Sequence, residues 1–233
     1  AQFDERKQII QEGVSSLAKS IKGEAVIDES LLNEVAALNE WPVPLLGQFE
    51  KTFLSVPAEA LISSMKEHQK YFHVINSKEE LLPAFITVAN IVSKDPKQVI
   101  AGNERVIRPR LADAAFFYEN DAKQSLEGRR ETLKKVVFQD KLGSVFDKTA
   151  RVAATAEALS NFTAADPLLA RRAAELSKSD LVSDMVGEFA DLQGIMGRYY
   201  ALNDGEDQQV AEAQLEQYLP RFSGDQVPST EVG

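Results

Sequence analysis

The chain has no cysteine, only two histidines and a single tryptophan in 233 residues. Without thiols there is no disulfide framework and no thiolate-ligated zinc, in keeping with a reducing compartment. Imidazole is almost as scarce. His68 and His73 are five residues apart, which sets them on different faces of a helix, and a break near Lys70 separates them further. They form a weak metal pair and read as structural or nucleic-acid-contacting groups. No apolar run approaches the roughly 18 residues of a membrane span, and the first residues are too polar for a signal peptide. The Gly-x-x-x-x-Gly-Lys, Gly-x-Ser-x-Gly and Gly-x-Gly-x-x-Gly patterns are missing as well. Position 1 is Ala rather than Met, and helical periodicity starts almost at once, so the expectation is a piece of a longer polypeptide.

Positive charge is in short supply: 26 Lys and Arg stand against 36 Asp and Glu, a net −10. That balance favours solubility and excludes a chain built uniformly to coat nucleic acid or an anionic membrane. The deficit is uneven. Residues 94–151 hold 13 basic against 9 acidic side chains, leaving 13 against 27 elsewhere. The middle third is therefore the one candidate anion-binding surface. Its dense points are Arg105, Arg108 and Arg110, then Arg129, Arg130, Lys134 and Lys135. A polyanion held there would release counterions, and its binding would weaken steeply with salt. The same residues also fit solvated helix faces, with Glu127 and Glu131 pairing Lys134 and Lys135.

With 44% hydrophobic and 27% charged residues the chain has an ordinary globular composition, enough for one large domain or two small ones. Residues 4–22 carry Ile9, Ile10, Val14, Leu17, Ala18 and Ile21 on one helical face, with Gly23 as the stop. Asp28 caps a second helix running to about Leu38, and the Trp41-Pro42-Val43-Pro44 run breaks the pattern. A strand is expected over 45–54, a short helix over 57–68 opening at Pro57, and a hairpin from 71–75 and 84–91. After Lys94 the strand signals stop, and helices are expected near 95–103, 109–119, 125–138, 143–161, 166–178, 179–188, 191–201 and 206–219. Residues 223–233 read as a frayed tail.

The resulting class is α+β: a mixed strand and helix domain over 1–124, then an all-helical domain over 125–233. Near the join, Ile107, Leu111, Ala114, Ala115 and Tyr118 make an apolar helical stripe beside the arginine trio. Pro109 lacks an N–H and disfavours helical geometry at Arg108, so a turn over 102–108 and a helix starting at Pro109 are expected. Asp180, Asp184 and Glu188 fall at i, i+4 and i+8, which could align on one helix as an oxygen site for a hard cation, though a wet face is the commoner meaning.

Several long strings carry a resemblance. His68-Gln69-Lys70-Tyr71-Phe72, then Gly102-Asn103-Glu104-Arg105-Val106-Ile107-Arg108, then Leu111-Ala112-Asp113 with Phe116-Phe117 resemble the β subunit of bacterial glycyl-tRNA synthetase of the two-subunit kind. The likeness continues through Leu142-Gly143-Ser144, Lys178-Ser179-Asp180-Leu181, Met185-Val186-Gly187-Glu188-Phe189, and Leu192-Gln193-Gly194-Ile195-Met196-Gly197 with Tyr200-Ala201, nearly the whole chain.

The resemblance implies an interior piece of a cytoplasmic glycine–tRNA ligase, a hetero-oligomer that does not sit in a membrane. The whole enzyme uses ATP and Mg. Glycine activation belongs chiefly to the α subunit, while the β subunit recognises and positions tRNA(Gly) and ends in an anticodon-binding domain not contained here. No catalytic residue, metal or cofactor is then expected on this piece. The helical half is similar to an HD-type domain, named for a metal-binding His-Asp pair. Where that pair would fall this chain has Ser177-Lys178-Ser179-Asp180, so Lys178 and Asp180 occupy degenerate motif positions. The helical half has no histidine, and a two-metal hydrolytic site is hard to build without imidazole; the fold is read as kept and the activity as lost. Family members continue with a further helix that completes this domain, so an incomplete bundle with a partly exposed apolar face is expected.

Three readings follow: an RNA-binding and subunit-scaffolding segment with the arginine and lysine clusters against tRNA phosphates, an active HD-like phosphohydrolase, and a purely structural module whose arginines pair with Glu104, Asp113 and neighbours.

Overall fold

Ile10, Val14 and Ala18, at helical spacing, form the fully buried stripe of α1 (Phe3–Ser20). The computed structural model describes residues 2–233, which divide into two compact units, 1–116 and 117–233. In the first, α1 leads through β1 (Glu24–Ala25) to α2 (Glu29–Leu38), β2 (Val43–Gln48), α3 (Ala58–Ser63), β3 (Phe72–Ile75), β4 (Leu81–Ala89) and α4 (Pro96–Asp121). Asp28 caps α2 as its position implies, its carboxylate accepting the Leu31 N–H at 2.8 Å. The four strands form one antiparallel sheet in the order β1-β3-β4-β2.

Leu31, Leu32, Val35 and Ala36 of α2 join the α1 stripe against Phe72, Val74 and Ile86 of the sheet. Each large side chain sealed there contributes about 1.5–3 kcal/mol relative to exposure. On the edge strand β2, Pro44 is tolerated because no neighbour calls for its N–H. Gly47 opposes Phe85, whose ring would lie 2.3 Å from a Cβ at that position. The bare backbone leaves room for Phe85 to stack on Tyr71, with centroids 4.5 Å apart.

The expected strand over 45–54 ends early, at Gln48. Phe49 N–H still reaches the Pro83 carbonyl at 3.2 Å, but Pro83 has no N–H to return, and the chain turns into a 3₁₀ segment over Lys51–Ser55. The hairpin appears where expected, its turn held by the Asn76 side chain, which accepts the N–H groups of Lys78 and Glu80.

The break expected at Pro109 does not occur. α4 runs without interruption from Pro96 to Asp121 with Pro109 inside it. Ile107, Leu111 and Ala114 are wholly buried, while Arg105, Val106 and Pro109 are exposed, so the missing amide falls on the wet side and the buried stripe carries the helix through. Three further bonds fix α4 within the first unit: Tyr71 Oη to Asn103 Oδ1 at 2.6 Å, Gln48 N–H to Glu104 at 2.9 Å, and Arg108 to Glu50 at 2.6 Å.

The second unit is mostly helical: α5 (Leu126–Arg130), β5 (Val137–Gln139), β6 (Gly143–Ser144), α6 (Val145–Leu159), α7 (Pro167–Leu176), α8 (Asp184–Glu188), α9 (Ile195–Asn203) and α10 (Gln208–Glu216). α6 packs on α7, and α10 packs on both α7 and α9. The helix expected over 125–138 is instead α5, a 3₁₀ turn over Glu131–Lys135 and a strand. β5 and β6 pair as a small antiparallel hairpin. The β-branched and aromatic run Val136-Val137-Phe138 prefers extended backbone, Gly143 supplies φ +85, and the Gln139 side chain accepts the Lys141 and Leu142 N–H groups.

The terminal stretch is also ordered, contrary to a frayed tail. Ser229 and Thr230 give their hydroxyls and N–H groups to the Glu216 carboxylate. Burial by itself would raise the Glu216 pKa, but these bonds outweigh it and hold the group below its usual value.

Pro109→Ala restores the missing amide on an exposed helix face. It is expected to raise unfolding free energy by about 1–3 kcal/mol in urea titrations; a variant no more stable than the parent would show that α4 carries no proline penalty.

Candidate nucleic-acid interface

On an ideal helix Arg105 points away from the buried stripe of α4, and Arg108 and Arg110 flank that stripe on either side. All three are exposed. Arg108 is tied to Glu50, and hydrogen bonding and the charge of Arg108 contribute to holding the Glu50 carboxyl below its usual value. Arg105 makes no ion pair among the described residues.

The second cluster separates by burial. Arg129 turns inward, its side chain 5% exposed, and donates to the Asp121 carboxylate at 2.9 Å, to the Asp121 carbonyl at 2.7 Å and to the Gln124 carbonyl at 3.1 Å. Arg130 is half-buried between Glu127 at 2.8 Å and Glu175 at 3.9 Å. Lys134 and Lys135 are exposed; Lys134 pairs with Glu131 at 2.7 Å and lies 4.6 Å above the Phe146 ring, while Lys135 makes no ion pair among the described residues.

Sequence reasoning passed over Asp121, the hub of this unit. Its carboxylate, almost wholly buried, accepts four bonds: Arg129, Tyr200 Oη at 2.8 Å, and the N–H groups of Asp184 and Met185, both at 2.9 Å. The Tyr200 hydroxyl is pushed well above its usual pKa, first by burial and then by the Asp121 charge. One signal was available. An aspartate at the last position of a helix faces the negative end of the dipole, an unfavourable place unless donors hold it there.

At the degenerate motif positions, Lys178 adopts a left-handed backbone with φ 67 and sets its ammonium 3.6 Å from the centre of the Tyr218 ring. Burial first, then the Lys148 charge, brings the Lys178 amine down to about 8. Asp180 is buried, and its Oδ2 accepts the N–H groups of Gly194 and Gly197, the latter at 3.2 Å. Burial raises its pKa despite those bonds. A Cβ at Gly197 would lie 3.2 Å from this carboxylate, a tight contact that the Asp180 side chain would have to yield to by a few tenths of an ångström.

The row Asp180, Asp184 and Glu188 does not lie on one helix. Asp180 belongs to a 3₁₀ turn, Ser183 caps the next helix, and Asp184 opens α8. Ser183 redirects the chain because its side chain prefers to accept the Val186 N–H. Among the described residues no three His, Cys, Asp or Glu side chains converge as metal ligands. Oδ2 of Asp180 is already engaged by two backbone N–H groups and the second unit contains no histidine, so these positions do not fit a metal pair. His68 ends a π-helical turn and His73 lies in β3, on separate elements.

The model of the family described as glycyl-tRNA synthetase beta subunit matches residues 1–233. The glycine–tRNA ligase beta subunit of Marinobacter nauticus is 64% identical over the whole chain, that of Hahella chejuensis 59%, and that of Acinetobacter baylyi 53%. In each case the chain spans 34% of the relative, so it corresponds to about a third of those proteins. Among the described residues no helix is long and apolar enough to cross a membrane.

Arg129→Met leaves Asp121 buried without its cation and is expected to cost about 3–5 kcal/mol in urea denaturation. A loss below about 0.5 kcal/mol would remove Asp121 from its place as hub. His73 gives a pH signature. Burial, then the Lys66 charge, lowers its pKa from 6.5 to about 4. Below pH 6.5 the unfolded chain takes up a proton that the folded chain refuses, so stability falls as pH drops from about 6.5 towards 4. Melting temperatures at pH 7 and pH 5 should therefore differ less in His73→Gln than in the parent, and an equal difference would place the acid sensitivity elsewhere.

Proposed function

The chain belongs to the glycyl-tRNA synthetase beta subunit family, and from that premise we propose that it serves ATP-dependent attachment of glycine to tRNA(Gly) as an RNA-facing and scaffolding segment. The reaction centre, with its ATP and Mg, belongs to an α subunit in a hetero-oligomer. This segment contributes no catalytic group. The observation that carries the RNA reading is the set of exposed cations on α4, Arg105 with Arg108 and Arg110, on a helix whose opposite face is fully buried. Such a face meets phosphates without disturbing the fold that presents it. Lys134 and Lys135 extend the reading to the second unit, with Arg130 in support. Arg129 holds Asp121 and stands behind the surface rather than in it.

The scaffolding half of the reading draws on the ion pairs. Arg129 spends its charge on Asp121 inside the protein, while exposed Arg108 gives Nε to Glu50 and keeps the rest of its guanidinium towards solvent. The helical unit reads as an HD-like domain that has lost its chemistry. Asp180 serves backbone N–H groups, Lys178 serves Tyr218, and the hydrolase reading has no ligand set to stand on.

The test is tRNA(Gly) affinity of the full-length β subunit over a salt series. Arg105→Glu with Arg108→Glu is expected to weaken binding about tenfold or more at low salt and to flatten the dependence of log K on log salt by about 2, one phosphate contact for each arginine. Affinity and slope both unchanged, in a variant with the parent melting temperature, would reject RNA contact by α4.

A further inference from the structure

The hairpin β5–β6 and the solvent side of α6 enclose a furrow that the RNA reading leaves unused. Phe138 and Leu142 form one wall and Val152 and Leu159 the other. All four are exposed, Leu142 and Leu159 by 52% and 56%. α6 thus carries one apolar face broader than the unit covers. Val145, Thr149 and Ala153 are buried in the unit, while Val152, Ala156 and Leu159 line the furrow. The unit covers one edge of this face and leaves the other to solvent, where a neighbour can pack. Lys148 and Arg151 also line the furrow, and no carboxylate does.

We propose that this furrow receives an amphipathic helix of a second polypeptide, with its apolar stripe on Val152 and Leu159 and its acidic flank on Lys148 and Arg151. Charge decides the partner's chemistry, because a cationic lining in a chain of net −10 selects acidic residues. Shape decides its form. Val152 and Leu159 are two helical turns apart, about 10 Å, which matches the i, i+3/i+4, i+7 anchors of a docked helix. RNA is the poorer occupant: three of the four wall side chains are aliphatic, and the Phe138 ring face on which a base would stack is taken by the Lys148 ammonium at 4.5 Å. A second copy of this surface is poorer still, since a two-fold contact would set Lys148 and Arg151 against their own equivalents. The inference rests on the family membership, which implies a partner subunit, and not on RNA contact by α4.

Photocrosslinking in the full-length β subunit, purified with its partner subunit, tests it. With p-benzoylphenylalanine at Leu142, the expected product joins this position to a helical segment of the other polypeptide that has Asp or Glu beside an apolar stripe. Lys148→Glu with Arg151→Glu should lower the yield about tenfold, and Lys in place of the acids on the captured segment should restore it. Arg105→Glu with Arg108→Glu should leave the yield unchanged, which separates this outcome from the RNA reading. Capture of tRNA alone, of the same surface on a second β subunit, or of another part of the same chain would overturn the proposal. So would an absent crosslink, or a yield indifferent to the charge reversal in a variant that melts like its parent.

Discussion

A carboxylate taken out of water must find donors for its oxygens, or the structure around it gives way. Asp121 meets that demand with a guanidinium, a phenol and two backbone amides drawn from α5, α8 and α9. The second unit is organised by this requirement. Its helices are short, several are interrupted by 3₁₀ turns, and few have enough buried apolar surface to be fixed by packing alone. A charge-assisted hub supplies the specificity that such short elements lack, since each donor can satisfy Asp121 in only one arrangement.

The first unit relies on different physics. Its sheet and the helices α1 and α2 share an aliphatic and aromatic core, and polar bonds serve mainly to place α4 on it. α4 is where the two aims meet. One side is committed to the core through Ile107 and Leu111, and the other presents cations to solvent. The segment that positions charge is therefore held mainly by an apolar stripe, with Glu104 and the Arg108–Glu50 pair pinning it at its polar edges.

Much of this was legible in the sequence. The stripe Ile10, Val14, Ala18 and the cap Asp28 are local patterns, and local patterns survive into the structure. The hairpin between β3 and β4 was legible for the same reason. What local pattern cannot carry is pairing over long separations: Asp121 meets Met185 across 64 residues and Tyr200 across 79. Charge pattern likewise groups Arg129 with Arg130 and Lys134, although only burial separates the inward guanidinium from its neighbours. At Pro109 a sound local rule met a stronger constraint, because the penalty of one missing amide on a wet face is smaller than the burial that holds the helix on both sides of it. At Val137–Gln139 the local preference prevailed instead, and extended backbone stands where a helix was expected.

The return of Ser229 and Thr230 to Glu216 changes what kind of object the last residues are. Composition describes them as a thread, yet 13 residues after Glu216 the backbone comes back to the carboxylate it left behind, and the stretch becomes a ring closed by hydrogen bonds. In the statistics of flexible chains the cost of such closure rises only with the logarithm of the loop's length. Two hydroxyls and two amides on one ionised group are thus enough to hold it. The polar, proline-containing sequence inside the ring is free to stay polar, because its order is set at the ends and asks for no core of its own.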